Sequence, residues 1–273
     1  MKKAAKNRQI SKIIFWTSIA LLCGIMLVFS LFNPPLFTDK ARNFWLNNII
    51  QLACGFIVVV MLMLRWRIYL FGKPKSLWVL IPCLIVAIDN FQFWSYFSGN
   101  MQFVRTDLTD VMLFACYCLF TGLFEECVFR GLVFSVLASR FSQDKRGLVK
   151  TFVLSSVVFG LAHLFNLFGG ANVGATLLQV GYTTLTGGLF AFALIKSKNV
   201  LIAGGVHAVY NFCGLALESV GNYGLGTGVV FDVGTTVTMA IVAVSATVFV
   251  LFSLLKYTEA ERSVLYKRMG VEK

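Results

Sequence analysis

The sequence predicts an all-α protein, a polytopic transmembrane bundle of eight helices with both termini in the cytoplasm. Of the 273 residues, 58% are hydrophobic and 13% charged, whereas soluble domains are about 25% charged. Apolar runs of about 20 residues recur, which is the length a helix needs to cross a hydrocarbon core of about 30 Å. Nearly all of the 24 Lys and Arg residues fall on one side of these runs, as the basic excess of cytoplasmic loops requires. The exceptions are Lys40, Arg42 and Arg105 on the outer side and Arg130 within a span.

The predicted spans follow one another through short loops. They cover residues 13–33, 46–64, 77–97, 108–138, 149–168, 173–195, 200–219 and 232–255. The fourth is long for a single crossing, so we expect it to tilt or to project beyond the bilayer. The seventh is the weakest prediction, because glycines and polar residues interrupt it. The glycine-rich stretch 221–228 is expected to form a loop on the outer side.

Composition also excludes several classes of function. The seven cysteines all lie inside apolar stretches without a CxxC pair, which is typical of packing residues and not of a disulfide framework. The net charge of +12 is spread over short cytoplasmic loops. This distribution predicts membrane lipids as partners and no nucleic acid.

A few ionisable side chains fall within the spans, where each charge costs about 2.5–3.5 kcal/mol and therefore indicates a functional candidate. They are Asp89, Glu125, Glu126, Arg130, His163 and His207. The two histidines are the only ones in the chain. Asp89 has no basic or histidine neighbour in its own span, and no chemistry is assigned to it.

Spacing separates the two glutamates. Glu126 and Arg130 are four residues apart, which places them on one helix face and predicts an ion pair. Glu125 is rotated from Glu126 by about 100° and has no local cation. A carboxylate in that setting is a candidate general base.

The remaining polar candidates lie at a similar depth. His207 and Asn211 are four residues apart on the seventh span, and His163 lies on the fifth. Counted from the nearest cytoplasmic charge, the polar groups lie roughly 14–22 Å into the membrane at 1.5 Å per residue. A single His or Asn in a span is often only an interhelical hydrogen-bond partner. The matched depth of the whole set favours a common polar pocket. The pairs Gly187-Gly188 and Gly204-Gly205 are expected to allow close helix packing.

Three short motifs resemble those of a known family. Glu125-Glu126-x-x-x-Arg130, Phe159-x-x-x-His163 and His207-x-x-x-Asn211 are similar, in order and on separate spans, to the motifs of the CAAX-protease and bacteriocin-processing (CPBP, or Abi) family. These are intramembrane peptidases that include the type II CAAX prenyl endopeptidases. The resemblance covers about residues 107–215. It implies three N-terminal spans in 1–106, a catalytic core in 107–219, and a last span with a basic cytoplasmic tail in 220–273.

The resemblance implies a role for each motif residue. Glu125 is expected to activate a water that hydrolyses a peptide bond. His163, His207 and Asn211 are expected to position that water or to stabilise the oxyanion. Glu126, Arg130 and Phe159 are expected to support the site. No fixed metal is expected. If zinc or another divalent metal is bound, the ligands are expected to be Glu125, His163 and His207.

Two other classes of function stay open at this point. One is a non-catalytic role on the same scaffold, such as bacteriocin immunity or the binding of a membrane partner. The other is a proton-coupled transporter that uses Glu125 and the histidines as a relay, although no inverted repeat is evident. For a peptidase, the substrate is a membrane-associated peptide or protein, either a prenylated CAAX protein, a bacteriocin leader or a peptide pheromone. The expected location is the cell membrane of a bacterium, and the sequence leaves the oligomeric state open.

Overall fold

Helices make up all the regular structure in the computed structural model, which describes residues 2–99, 102–220 and 233–271. The α-helices are α1 Lys2–Phe32, α2 Lys40–Arg65, α3 Leu80–Asp89, α4 Phe93–Phe97, α5 Leu108–Glu126, α6 Phe134–Arg140, α7 Lys145–Ala162, α8 Val173–Ser197, α9 Val200–Ser219, α10 Val233–Leu255 and α11 Glu259–Arg268. Short 3₁₀ segments occupy Leu77–Val79 and His163–Gly169, and a π-helical segment occupies Cys127–Val133. The predicted all-α class is confirmed. The glycine-rich stretch 221–228 lies outside the described residues.

Six of the described helical stretches are long and apolar enough to cross a membrane. They are Lys12–Phe32, Lys40–Arg65, Leu108–Arg140, Lys145–Gly169, Val173–Ser197 and Val200–Ser219. Ile241–Leu255 and Glu259–Arg268 form a pair bent by 99°, which raises the number to seven if they are one span. The polytopic membrane class is therefore confirmed, and the count of eight stays a prediction.

The predicted third span, 77–97, is not one continuous helix. Its main helix α3 has 10 residues, which rise only about 15 Å and reach about halfway across the hydrocarbon core. The chain then breaks before α4. At the break, the Asn90 side chain donates a hydrogen bond of 2.9 Å to the carbonyl of Tyr210 on α9. This polar contact binds the broken segment to the helix that carries His207.

Polar N-cap side chains begin the helices that carry the motifs. Asp107 accepts a hydrogen bond from the Thr109 amide at the start of α5, and Asp144 accepts one from Gly147 at the start of α7. Asn199 accepts hydrogen bonds from the Leu201 and Ile202 amides at the start of α9. Each cap satisfies amides that have no partner within the helix. The caps thereby favour the residues at which these helices begin.

Glycine allows α5 and α9 to touch through their backbones. A Cβ on Gly122 would lie 2.5 Å from the carbonyl oxygen of Gly204 and 2.8 Å from the amide nitrogen of Ala208. A Cβ on Gly204 would lie 2.9 Å from the Leu123 side chain. Only glycine fits at these two positions without moving a helix. The close contact brings the end of α5, with its two glutamates, against His207. The neighbouring Gly205 has open space around it.

An ion-pair network joins the starts of α2 and α5, on the predicted outer side. Arg105 donates two hydrogen bonds to the Asp39 carboxylate, at 3.1 and 3.0 Å. Arg42 donates one of 2.7 Å to the buried Asp110. Arg105 lowers the pKa of Asp39 to about 2, and the hydrogen bond from the Arg42 amide adds to this effect. The amide of Arg105 also donates to the carbonyl of Val220, so the network holds α2, α5 and the end of α9 together.

Candidate active site

The first motif lies where the α5 helix changes its winding. After Glu126 the chain continues as the π-helical segment Cys127–Val133 and then as α6, so that Leu108–Arg140 forms one apolar stretch. The single long fourth segment predicted from the sequence is therefore present, but its π-helical part was not predicted. Short stretches of π-helix inside α-helices occur frequently at functional sites.

Glu126 connects two buried basic groups. Its Oε2 lies 3.1 Å from Nε of Arg130, and its Oε1 lies 3.0 Å from Nδ1 of His207. Glu126 and Arg130 are fully buried, and His207 is 4% exposed. The ion pair predicted between Glu126 and Arg130 is present. The contact with His207 was not predicted, because spacing within one helix cannot show which residue a second helix brings near.

The guanidinium of Arg130 is held by three kinds of contact. Nη2 donates a hydrogen bond to the carbonyl of Gly187 on α8. The close approach of Nε to Glu126 is an ion pair without hydrogen-bond alignment, and within the described part of the chain Nε and Nη1 have no hydrogen-bond acceptor. The ring of Phe159 lies 4.4 Å from Cζ. The face of an aromatic ring is electron-rich. Phe159 therefore stabilises part of the guanidinium charge that has no hydrogen-bond acceptor in this buried position.

Glu125 has a different environment from its neighbour. Its side chain is 28% exposed, and Oε2 lies 3.9 Å from Nε2 of His207. His207 therefore faces one glutamate with each ring nitrogen. Because a carboxylate only accepts hydrogen bonds, the contact with Glu126 assigns the proton of a neutral His207 ring to Nδ1. Nε2 is then free to accept a hydrogen bond on the side of Glu125.

His163 is placed by a change in helix type. It follows the last residue of α7 and begins the 3₁₀ segment His163–Gly169. The side chain is half-buried, and Nδ1 lies 3.1 Å from the carbonyl oxygen of Phe159. The carbonyl can only accept, so Nδ1 donates and Nε2 remains an acceptor. The Phe159 ring lies 5.2 Å from the His163 ring and 5.8 Å from the His207 ring, so it contacts both histidines.

Asn211 lies one helical turn beyond His207 on α9 and is half-buried. Within the described residues its amide makes no hydrogen bond, and the amide is therefore available to a ligand. The structure thus brings Glu125, Glu126, Arg130, Phe159 and His207 into direct contact around one centre. His163 joins them through Phe159, and Asn211 lies on the same helix as His207.

The conditional zinc ligands do not form a metal site in this arrangement. Among the described residues, no group of three or more His, Cys, Asp or Glu side chains is placed to hold a metal ion. Glu125 and His207 are adjacent, whereas the Nδ1 atom of His163 is engaged by the Phe159 carbonyl. The conditional metal ligands stay a prediction, and no chemical step is assigned to a metal ion.

Helix α8 carries no part of the three motifs, yet it forms one wall of the centre. Gly187 accepts the hydrogen bond from Arg130, and Phe190 stacks on His207 with ring centroids 4.3 Å apart. Sequence reasoning treated Gly187 as a packing residue and did not consider Phe190. The sequence did contain one signal for Phe190. Residues three apart share a helix face, so Phe190 lies on the same side of α8 as Gly187.

Comparison with known protein families gives a match over the part of the chain that carries the three motifs. Residues 107–213 match the family model described as type II CAAX prenyl endopeptidase Rce1-like. Curated proteins and solved structures give no match. The matched range begins at the N-cap of α5 and ends on α9 beyond Asn211, so it includes all three motifs. Rce1-like proteins are proteases, which supports a peptidase, and the apolar helices indicate an integral membrane protein. Residues 107–213 are thus similar to the Rce1-like type II CAAX prenyl endopeptidases.

Proposed function

We propose that the protein is an intramembrane endopeptidase in which Glu125 activates a water molecule to hydrolyse a peptide bond of a membrane-associated protein or peptide. One observation carries the proposal. Glu125 is the partly exposed glutamate and faces Nε2 of His207 at 3.9 Å, while Glu126 is fully buried between Arg130 and His207. The two carboxylates therefore have separate roles.

The gap between Glu125 and His207 suits a water molecule. At 3.9 Å it is too long for a direct hydrogen bond. The distance is short enough for a single water molecule to bridge the two groups. Such a water would donate one hydrogen bond to Oε2 of Glu125 and a second to Nε2 of His207. In the reaction, Glu125 takes a proton from the water while the water oxygen attacks the peptide carbonyl carbon. The same proton then passes to the leaving nitrogen as the C–N bond breaks, which leaves a free acid and an amine.

The negative charge on the attacked oxygen needs a donor. Asn211 supplies one in this proposal, because its amide has no hydrogen-bond partner among the described residues and it lies one turn from His207. His163 and His207, each with its proton on Nδ1, would use Nε2 to orient the water and the leaving group. A donor that is already in place costs no reorganisation at the moment of attack.

Glu126 and Arg130 act as support in this proposal. Both are fully buried. Oε2 of Glu126 faces Arg130, and Oε1 faces Nδ1 of His207. Full burial keeps this carboxylate away from bulk water. Its role is to hold His207 with the proton on Nδ1, as second partners do for many catalytic histidines.

The test uses purified protein in liposomes with a farnesylated CAAX peptide and a leader-type peptide as separate reporters, and cleavage is read by mass spectrometry. We expect Glu125→Gln to lose at least 100-fold in turnover while it retains the wild-type melting temperature. Asn211→Ala should lose turnover with little change in KM. Cleavage by Glu125→Gln at the wild-type rate would refute the proposed mechanism.

The two alternatives predict other results. For bacteriocin immunity or scaffolding, cells that express Glu125→Gln at normal abundance would keep the full phenotype. For a proton-coupled transporter, substrate flux into proteoliposomes would follow an imposed pH gradient. Proteolysis of the reporter by the wild type and not by Glu125→Gln separates the peptidase from both.

A further inference from the structure

Phe190 contacts the proposed catalytic centre without belonging to any of its motifs. Its side chain is 1% exposed, and its ring is nearly parallel to the His207 ring, with centroids 4.3 Å apart and an interplanar angle of 17°. It also meets the edge of Tyr210 at 5.8 Å and lies 5.7 Å from Cζ of Arg130. The Phe190 ring therefore lies against two residues of the proposed centre, His207 and Arg130.

The hydrogen bond to Glu126 does not by itself orient His207. The ring is also held by its bond to Cβ, but one contact at Nδ1 leaves the two side-chain torsions some freedom. A rotation about these torsions changes the position of Nε2 relative to Glu125. Two aromatic surfaces prevent it: Phe190 stacks against one face of the ring, and Phe159 meets it nearly at right angles, at 84°. Together they define the ring plane.

Phe190 is itself held in place by the centre that it contacts. Gly187, three residues earlier on α8, accepts the hydrogen bond from Arg130. The missing Cβ at Gly187 lets Phe159 and Arg130 approach, since a Cβ there would lie 2.9 Å from Phe159 and 3.1 Å from Nη2 of Arg130. The position of the stacked ring is therefore tied to the Arg130–Glu126 pair and not only to general core packing.

We propose that Phe190 is a positioning residue that holds the imidazole of His207 in the plane in which Nδ1 meets Glu126 and Nε2 faces Glu125. The inference rests on the proposed function for its effect on turnover. The orientation of His207 can be measured separately, without any substrate.

The chain offers a simple spectroscopic test because His163 and His207 are its only histidines. Protein labelled with ¹⁵N-histidine and prepared without a polyhistidine tag gives two sets of ring signals, and His207→Gln assigns them. The ¹⁵N shifts report which ring nitrogen carries the proton. We expect one Nδ1–H tautomer for His207 in the wild type, and exchange between tautomers in Phe190→Leu and Phe190→Met, which fill space without a flat ring.

Phe192→Leu is the matched control. Phe192 is also fully buried, lies two residues further along α8, and contacts Phe249 at 5.9 Å on another side of the helix. Its truncation removes the same atoms from the core without touching His207. We expect Phe192→Leu to keep the His207 tautomer and turnover of the wild type at a comparable loss of melting temperature.

On the peptide reporter, Phe190→Leu and Phe190→Met should lose about tenfold or more in turnover with KM within twofold of the wild type. An unchanged His207 tautomer in both variants would overturn the proposal. Exchange between His207 tautomers together with wild-type turnover would overturn it as well. If the wild type cleaves no reporter, the proposed function fails, and the ¹⁵N signals alone then decide whether Phe190 orients His207.

Discussion

Oε1 of Glu126 and Nδ1 of His207 lie 3.0 Å apart, and this contact joins α5 to α9 through residues 81 positions apart in the sequence. It forms at a point where both side chains are buried and where Glu126 also faces Arg130. A histidine held in this way presents one defined nitrogen to its other neighbour. The contact therefore links the packing of the bundle to the chemistry proposed for Glu125.

Removing one member of the buried ion pair should cost more than removing both. Glu126→Gln leaves Arg130 charged and without a carboxylate, which typically costs about 3–5 kcal/mol. The double variant Glu126→Gln/Arg130→Met removes the unpaired charge and should recover much of that loss. Unfolding in detergent, followed by circular dichroism, measures both. Equal stability of the single and double variants would contradict the ion pair, and Glu125→Gln serves as the control with unchanged stability.

The contact between α5 and α9 should not tolerate a methyl group at Gly122. The added Cβ would meet the backbone of Gly204 and Ala208, which cannot move without shifting a helix. We expect Gly122→Ala to separate Glu126 from His207 and to lower both the melting temperature and turnover. Gly205→Ala, with open space around it, is the control and should behave as the wild type. Similar results for the two variants would show that this helix contact is not required.

A methyl group at Gly187 should displace Phe159 and Arg130, the residues that support the site. Its Cβ would lie 2.9 Å from Phe159 and 3.1 Å from Nη2 of Arg130. Overpacking of this kind typically costs about 1–3 kcal/mol. We therefore expect Gly187→Ala to be destabilised and slower in the peptide assay. Gly181→Ala lies on the same helix with no atom within 4 Å of the added carbon, and its stability should be unchanged or slightly higher. Equal stability of the two variants would rule out the close approach at Gly187.

The outer ion-pair network predicts a dependence of stability on acidity. The pKa of Asp39 is lowered from 3.8 to about 2 in the folded protein. A depressed carboxyl pKa stabilises the fold above the unfolded value, and this contribution disappears as the pH falls from about 4 through about 2. The difference in melting temperature between wild type and Asp39→Asn should therefore be constant above pH 5 and shrink toward zero near pH 2. The effect should be small because both partners are partly exposed. A difference as large at pH 2 as at pH 7 would assign the effect to something other than this carboxylate.

Much of the architecture could be predicted because a bilayer imposes simple local rules. The long apolar runs and the sidedness of Lys and Arg are properties of consecutive residues, and they led to a helical membrane bundle. The third segment shows the limit of such rules. Its composition is mostly apolar, yet a polar side chain within it, Asn90, finds its hydrogen-bond acceptor on α9, and the helix ends there.

For the site, the sequence by itself determined which residues are candidates for chemistry and which of them share a helix face. Glu126 and Arg130 are an example, because four residues of helix bring them together whatever surrounds them. Only the tertiary structure decided that His207 faces both glutamates, that His163 is reached through Phe159, and that Phe190 stacks on His207. The physical reason is that these contacts join different helices. Their geometry depends on how closely glycines such as Gly122 and Gly204 let the helix backbones approach, and spacing along one chain does not contain that distance.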